Sequence, residues 1–462
     1  MHTKKIILWF AVAILSIQIV WAQQHSDYTP LQVSDAGATE LTSMLQMSPS
    51  AAAKRAGSGK ASLYEAVDIE IKEKVKQGFV LYDDTLSRYL AAIGAQLAAT
   101  RPSLQGTYKI YTLRSSSCNA FTFPNGVIFV TTGLLAKLHS KSQVAFVLGH
   151  EFGHLIKKHG EQAFDKELNL KKDFKFSSSN NENTLEVLLH YSREFEMEAD
   201  AIGIELVSTA GFDANEAAKA IKYISPEDTQ FMYHKIDIRK NFQNEDFSID
   251  SIMSKSASGN YGNNTSKDGD DRLSTHPDDE KRFIAIKELL ANMPGINVKP
   301  LPGDSADYAK VEYTARMENI RADFESGNYS GSIYLSLRSL KEDAGNRYLK
   351  LMLAKNLIWL ANYKNNDVFD EAFNESNQYY GRYFSEVESF LKKLSPNDIK
   401  KLSYSYIKHN YNTSGKNEEL CFYLAYASDF YLGSGVSRFY FNQYLKEYPG
   451  GKYTGYAEKK LQ

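Results

Sequence analysis

Two histidines four residues apart, with a glutamate beside the first, are the residues of this chain best equipped for chemistry: His150-Glu151-Phe152-Gly153-His154. A helix turns about 100° per residue, so positions four apart nearly eclipse, and both imidazoles can offer a nitrogen to one tetrahedral zinc ion. Glu151 stands one step round. It can reach a water activated by such a metal but is poorly placed as a ligand, so its expected role is general base. This is the layout of a zinc hydrolase. The flanking residues Val144, Phe146, Val147, Leu148, Phe152 and Ile156 predict a buried helix, and polar groups on a buried helix need partners.

Two histidines do not complete a site. A metzincin continuation requires a glycine and a histidine at fixed places downstream, and those places hold Lys157 and Gly160. His159 falls about 140° round from His154 on a continuing helix and is expected to point elsewhere, near a helix end that favours cationic side chains. The segment Ser192-Arg193-Glu194-Phe195-Glu196-Met197-Glu198-Ala199-Asp200 offers more. Glu196 and Asp200 share one helical face, so one carboxylate can bind metal while the other accepts a hydrogen bond from the far nitrogen of a ligand histidine. Glu194 and Glu198 fall on another face and read as solvated charge. Arg193 reads equally as a neutralising neighbour of the carboxylates or as a solvated side chain.

The elements that must hold these residues can be placed by pattern. A helical pattern dominates from Leu63 to Ala99, with Tyr82, Leu86, Tyr89, Leu90, Ile93 and Leu97 forming an apolar stripe. Strand-like runs follow at Thr107–Leu113 and Val127–Thr132, with Phe123-Pro124-Asn125-Gly126 supplying turn chemistry between them. The strand from Gly126 through Val127, Ile128 and Phe129 could offer its edge to an extended substrate. The helix carrying the two histidines is expected to begin near Ser142, with that serine as its cap. Further helices are predicted at Leu185–Ala210, Ala214–Ile224 and Asp279–Ala291. The polar runs Lys171–Asn183 and Lys255–Arg272 read as loops.

The chain has 462 residues, long for one core and suggestive of two or three domains. Its 43% apolar and 13% aromatic content indicates a folded protein, and a net charge of −2 gives no reason to expect a nucleic-acid partner. Lys4 and Lys5 precede an apolar stretch from Ile6 to Val20, and Val20-Trp21-Ala22 loosely fits a cleavage site, so residues 1–22 read as a signal peptide. The rival, an uncleaved anchor, is short for a span of about 20 residues. Neither Cys118 nor Cys421 lies near the cleavage site, so a lipid anchor is not encoded there. A leader follows over residues 23–60, then a domain over 61–293, a linker over 294–310 and paired helical patterns over 311–462. The pairs loosely resemble tetratricopeptide repeats, but their period is irregular.

Four separated motifs make the resemblance specific. His-Glu-Phe-Gly-His, the segment Ser192–Gly203, Ser274-Thr275-His276-Pro277-Asp278-Asp279-Glu280-Lys281-Arg282 and the run Asn119–Leu135 occur in the expected order. The chain resembles the M48 family of zinc metallopeptidases, and within it the exported soluble bacterial branch with C-terminal tetratricopeptide-like repeats. The family pattern often has Gly-Gly where this chain has Asn125-Gly126, and asparagine tolerates the same turn. The resemblance implies an α+β fold: a mostly helical zincin-type domain with a small β-sheet, followed by an all-helical repeat-like domain. It further implies that His150, His154 and Glu196 bind Zn2+, that Glu151 is the base and Asp200 supports a ligand, and that His276 approaches the metal at rest. Polypeptide substrates, an envelope assembly partner for the helical domain, a periplasmic location and at most peripheral association with the outer membrane are the corresponding expectations. The competing expectation is an assembly chaperone or scaffold with a largely silent peptidase site. A small-molecule zinc hydrolase is a third.

Overall fold

The computed structural model describes residues 28–32, 39, 41, 60–173, 192–225, 235–253, 279–293, 295, 296, 299–366, 369, 380, 383–415 and 417–462. Residues 1–22, expected to be a signal peptide, the Lys255–Arg272 run and His276 therefore lie outside the described residues. The chain divides into two compact units, one of residues 31–231 and 265–319, the other of 1–30, 232–264 and 320–462.

The first unit opens with α1 (Ala61–Lys76), strand β1 (Val80–Leu81) and α2 (Thr85–Ala98) where one long helical pattern was expected. The break is local chemistry. Gly78 takes a positive φ of 75°, and the Asp84 carboxylate accepts hydrogen bonds from the backbone of Leu86 and Ser87, capping α2 afresh. Strands β2 (Lys109–Leu113), β3 (Ala120–Thr122) and β4 (Val127–Thr131) complete a four-stranded sheet of order β1-β2-β4-β3. β2 and β4 run parallel, Lys109 opposite Val127 through Leu113 opposite Thr131. β1 lies antiparallel to β2, and β3 antiparallel to β4.

This order corrects one expectation. Ala120–Thr122, outside the two strand-like runs of the sequence, is itself a strand, folded back by the turn at Phe123–Gly126. Strand β4, carrying Val127, Ile128 and Phe129, is thus paired on both sides and offers no edge to a substrate. Gly126 is required at the turn: φ is 87°, and a Cβ would lie 2.0 Å from the Thr107 carbonyl oxygen.

Helix α3 (Lys141–Lys157) follows, then α4 (His159–Asp173), α5 (Arg193–Thr209), α6 (Glu216–Ile224), α7 (Asp279–Asn292) and α8 (Asp304–Glu325), the last of which begins within the expected linker. The cap of α3 is Ser140, whose hydroxyl accepts from the Gln143 N–H, so the helix starts a little earlier than expected. Every residue of α3 from Ser142 to His154 is buried. Its apolar side chains join those of α2, α5 and α6 in the main core, with Ile128 and Val130 from the sheet and Tyr308, Val311 and Ala315 from α8.

The second unit is helical among its described residues. It contains α9 (Tyr329–Glu342), α10 (Arg347–Asn365), α11 (Phe384–Lys393), α12 (Pro396–Thr413), α13 (Glu418–Leu432), α14 (Ser434–Glu447) and α15 (Thr454–Leu461). Asparagine caps recur: Asn328, Asn346 and Asn417 each accept a backbone N–H at a helix start. The molecule is thus a mostly helical α+β protein with a small sheet, followed by a helical region. Among the described residues no helix is long and apolar enough to cross a membrane.

Candidate metal centre

The separation of α3 and α5 is set by small residues. A Cβ on Gly153 would stand 2.8 Å from the Ala199 Cα, and one on Gly149 would stand 3.1 Å from the Gly203 Cα. Gly149 and Gly153 on one helix thus meet Ala199 and Gly203 on the other almost backbone to backbone. The residues next to these contacts, His150 and His154 on α3 and Glu196 and Asp200 on α5, are brought together as a result.

The imidazole Nε2 atoms of His150 and His154 lie 2.9 Å apart. His150 Nε2 is 3.5 Å from Glu196 Oε2, and His154 Nε2 is 3.4 Å from Glu196 Oε1. All three side chains are buried, Glu196 completely. Their donor atoms form a cluster of the kind that holds a metal ion. Asp200 Oδ1 lies 2.8 Å from His150 Nδ1. Because a carboxylate only accepts, it fixes the ring proton on Nδ1 and leaves Nε2 with a lone pair. That lone pair and the two Glu196 oxygens converge on the same space, an arrangement that a cation satisfies and water-excluded donors alone do not.

The centre contains a buried cation that the sequence reading did not assign. Arg282, on α7, is 2% exposed. Its Nε and Nη2 donate to the two Asp200 oxygens at 2.9 and 2.7 Å, and Nη1 lies 3.2 Å from Glu196 Oε2. Burial alone would raise the Asp200 carboxyl, but the charge and hydrogen bonds of Arg282, with those of His150, hold it at about 2. Arg193, which reads equally as a neighbour of the carboxylates or as a solvated side chain, sits exposed in the first turn of α5. The missed signal was that Arg282 closes the His276-Pro277 motif just inside a helix, three positions after Asp279, where an unneeded arginine would be solvated.

Glu151 is 1% exposed, and its Oε2 accepts a 2.7 Å hydrogen bond from the Thr122 hydroxyl of β3. The sheet therefore reaches the site through β3. His159 departs from expectation more sharply. Helix α3 stops at Lys157 and Lys158 adopts left-handed geometry, φ 57° and ψ 39°, so the 100°-per-residue count fails there. The His159 ring turns back toward the site, its Nδ1 2.9 Å from His154 Nδ1, and stacks on Phe195 at 4.2 Å. Burial holds its pKa below the ordinary histidine value, against the opposing pull of Glu198. Glu194 and Glu198 are exposed, the latter paired with Lys157 at 3.0 Å.

The chain from Thr85 to Leu290 matches the family described as Peptidase family M48. Residues 85–290 are a peptidase family M48 domain. The chain is also similar to the mitochondrial metalloendopeptidase OMA1 of Arabidopsis thaliana, 33% identical over 150 residues, which are 31% of each chain. It is 24% identical over 155 residues to the putative beta-barrel assembly-enhancing protease of Vibrio cholerae, covering 29% of this chain and 32% of that one. With the beta-barrel assembly-enhancing protease of Yersinia pestis the identity is 21% over 195 residues, 37% of this chain and 40% of the relative. The chain thus spans about a third of the length of these relatives. The M48 domain includes α3, α5 and α7, which supply the two histidines, the two carboxylates and Arg282.

Proposed function

We propose that this chain is a zinc-dependent endopeptidase of the type that pairs two histidines on one helix with a glutamate from another. The observation that carries the reading is the convergence of His150 Nε2, His154 Nε2 and Glu196 in one buried cluster, with Glu151 bonded by Thr122. His150, His154 and Glu196 would hold the metal, and Asp200 would orient His150. When bound, zinc supplies Lewis acidity toward a peptide carbonyl and toward water. Glu151 takes the proton of the attacking water and passes it to the leaving amine. Thr122 keeps the Glu151 carboxylate pointed at that task, and Arg282 balances the carboxylate charge that the interior must carry. His276 belongs to the proposal as a group that approaches the metal at rest, and its loss should raise basal cleavage.

The substrates proposed are misfolded or misassembled proteins of the cell envelope. Support comes from the basic-then-apolar start of the chain and from relatives named as beta-barrel assembly-enhancing proteases. The helical region would recruit substrate or an assembly partner.

Chelator-stripped protein should lose cleavage of an unfolded polypeptide and regain it with one equivalent of zinc, while a Glu196→Ala variant should bind zinc weakly and stay inactive. Cleavage that survives removal of the metal would overturn the proposal. The scaffold alternative is separated in cells: full rescue of a deletion strain by Glu151→Gln would favour it.

A further inference from the structure

We infer that His159 is a positioning residue for His154, accepting the Nδ1–H of that ring so that its Nε2 is left as the metal-facing lone pair. The inference rests on the metal-centre reading above and assigns a role to the ring that meets His154 on its far nitrogen.

The argument begins with the proton count. Two imidazole nitrogens 2.9 Å apart, Nδ1 of His154 and Nδ1 of His159, can hold one proton between them. His154 Nε2 is the nitrogen that faces His150 Nε2 and Glu196 Oε1, so it is the one that must be unprotonated to bind metal. A neutral ring then carries its proton on Nδ1. His154 therefore donates and His159 accepts, which leaves the His159 proton on Nε2, facing Glu198 Oε2 at 3.5 Å.

The acceptor is built into the fold. His159 is fully buried, its ring lies within 8° of parallel to Phe195 at 4.2 Å, and the left-handed Lys158 swings it back over α3. Phe195 belongs to α5, beside Glu196, so the helix that supplies the third ligand also clamps the partner of the second.

The choice of imidazole follows from charge. Glu151, Glu196 and Asp200 already place three carboxylates in the buried site against Arg282. A fourth carboxylate behind His154 would add another costly buried charge. A neutral acceptor fixes the tautomer without it. His150 is oriented by Asp200, an anion that Arg282 offsets. His154 is oriented by a neutral ring.

The test compares two variants of the full chain by competition for Zn2+ with a chromogenic chelator. His159→Phe keeps the stack on Phe195 but removes the acceptor, and should weaken zinc binding about 10–100-fold. His159→Asn replaces the acceptor with a side-chain oxygen near the Nδ1 position and should recover most of that loss. Long-range 15N spectra of the zinc-loaded wild type should show His154 protonated at Nδ1. Wild-type affinity in His159→Phe, equal loss in both variants, or a His154 ring protonated at Nε2 would overturn the inference while leaving the metal centre standing. Failure of the wild type itself to bind zinc would overturn the metal-centre reading and this inference with it.

Discussion

Replacing Arg282 by methionine, which keeps length but removes charge, should destabilise the metal-free protein by about 3–5 kcal/mol. The magnitude follows from what the guanidinium touches. It is 2% exposed, forms a two-pronged contact with Asp200 at 2.9 and 2.7 Å, and reaches Glu196 at 3.2 Å. In the native site Asp200 titrates at about 2 against an ordinary 3.8, a net stabilisation of its ionised form by about 2 kcal/mol. Without Arg282 the burial penalty on Asp200 loses the largest of the charges that oppose it. The favourable balance reverses, and Glu196 loses its cation as well.

The pH dependence has a definite sign. A carboxyl with a depressed folded pKa stabilises the protein above its unfolded value, here 3.8, and loses that contribution as pH falls through about 2. The difference between wild type and Arg282→Met should therefore be full near neutrality and shrink between those values. Calorimetry of chelator-treated protein at pH 7 should show the transition containing the M48 domain lowered by about 6–20 °C, at about 2–4 °C per kcal/mol for a domain of this size. Arg282→Lys should recover little, because one ammonium cannot serve both Asp200 oxygens and Glu196 together. A metal-free Arg282→Met protein within 1 kcal/mol of wild type would refute the reasoning, since about 3 kcal/mol is the least that an abandoned buried charge costs.

Three further outcomes follow from the same geometry. Gly153→Ala would push a methyl group to 2.8 Å from the Ala199 Cα, so it should cost about 1–3 kcal/mol in denaturant melts and weaken zinc binding by parting α3 from α5; unchanged zinc affinity would argue against the small-residue contact as the spacer. Thr122→Val removes the hydroxyl that donates to Glu151 at 2.7 Å with little change of shape, and steady-state kinetics should show kcat lowered about 5–30-fold with KM nearly constant, the equivalent of about 1–2 kcal/mol. A change confined to KM would assign Thr122 to substrate binding instead. Glu161 accepts from Lys60 at 2.7 Å and Tyr64 at 3.0 Å; burial pushes its carboxyl up, but these bonds and the Lys60 charge leave it below the ordinary 4.5. Its contribution is present above 4.5 and lost as pH falls through the lower folded value, so Glu161→Gln should cost about 1 kcal/mol or less at pH 7 and nothing at strongly acidic pH. A constant deficit across that range would exclude ionisation as the cause.

The helical face shared by His150 and His154, and that shared by Glu196 and Asp200, could be read in the sequence because both pairs lie within uninterrupted helices, where spacing dictates direction. Spacing failed where the backbone changed course. A continuous helix would turn His159 away from His154, but a single left-handed residue, Lys158, ends one helix before the next begins and brings the ring back. The apolar stripe from Tyr82 to Leu97 hid the break at Gly78 and the cap at Asp84, since a two-residue strand leaves almost no periodic trace. Strand β3, three residues long, leaves as little trace, and it takes the edge of β4 that β2 leaves open. Arg282 is the instructive omission. A charge far along the chain can be assigned to a buried cluster only when the topology is known, and Arg193 was nearer in sequence but exposed in space.

The central claim is that a metal held by His150, His154 and Glu196 works with Glu151 to hydrolyse peptide bonds. Its most direct test is cleavage of an unfolded polypeptide by zinc-loaded Glu151→Gln, with bound zinc counted in the same sample. The account predicts one zinc per chain, as in the wild type, and cleavage reduced at least about 100-fold. Cleavage at the wild-type rate with zinc in place would contradict it.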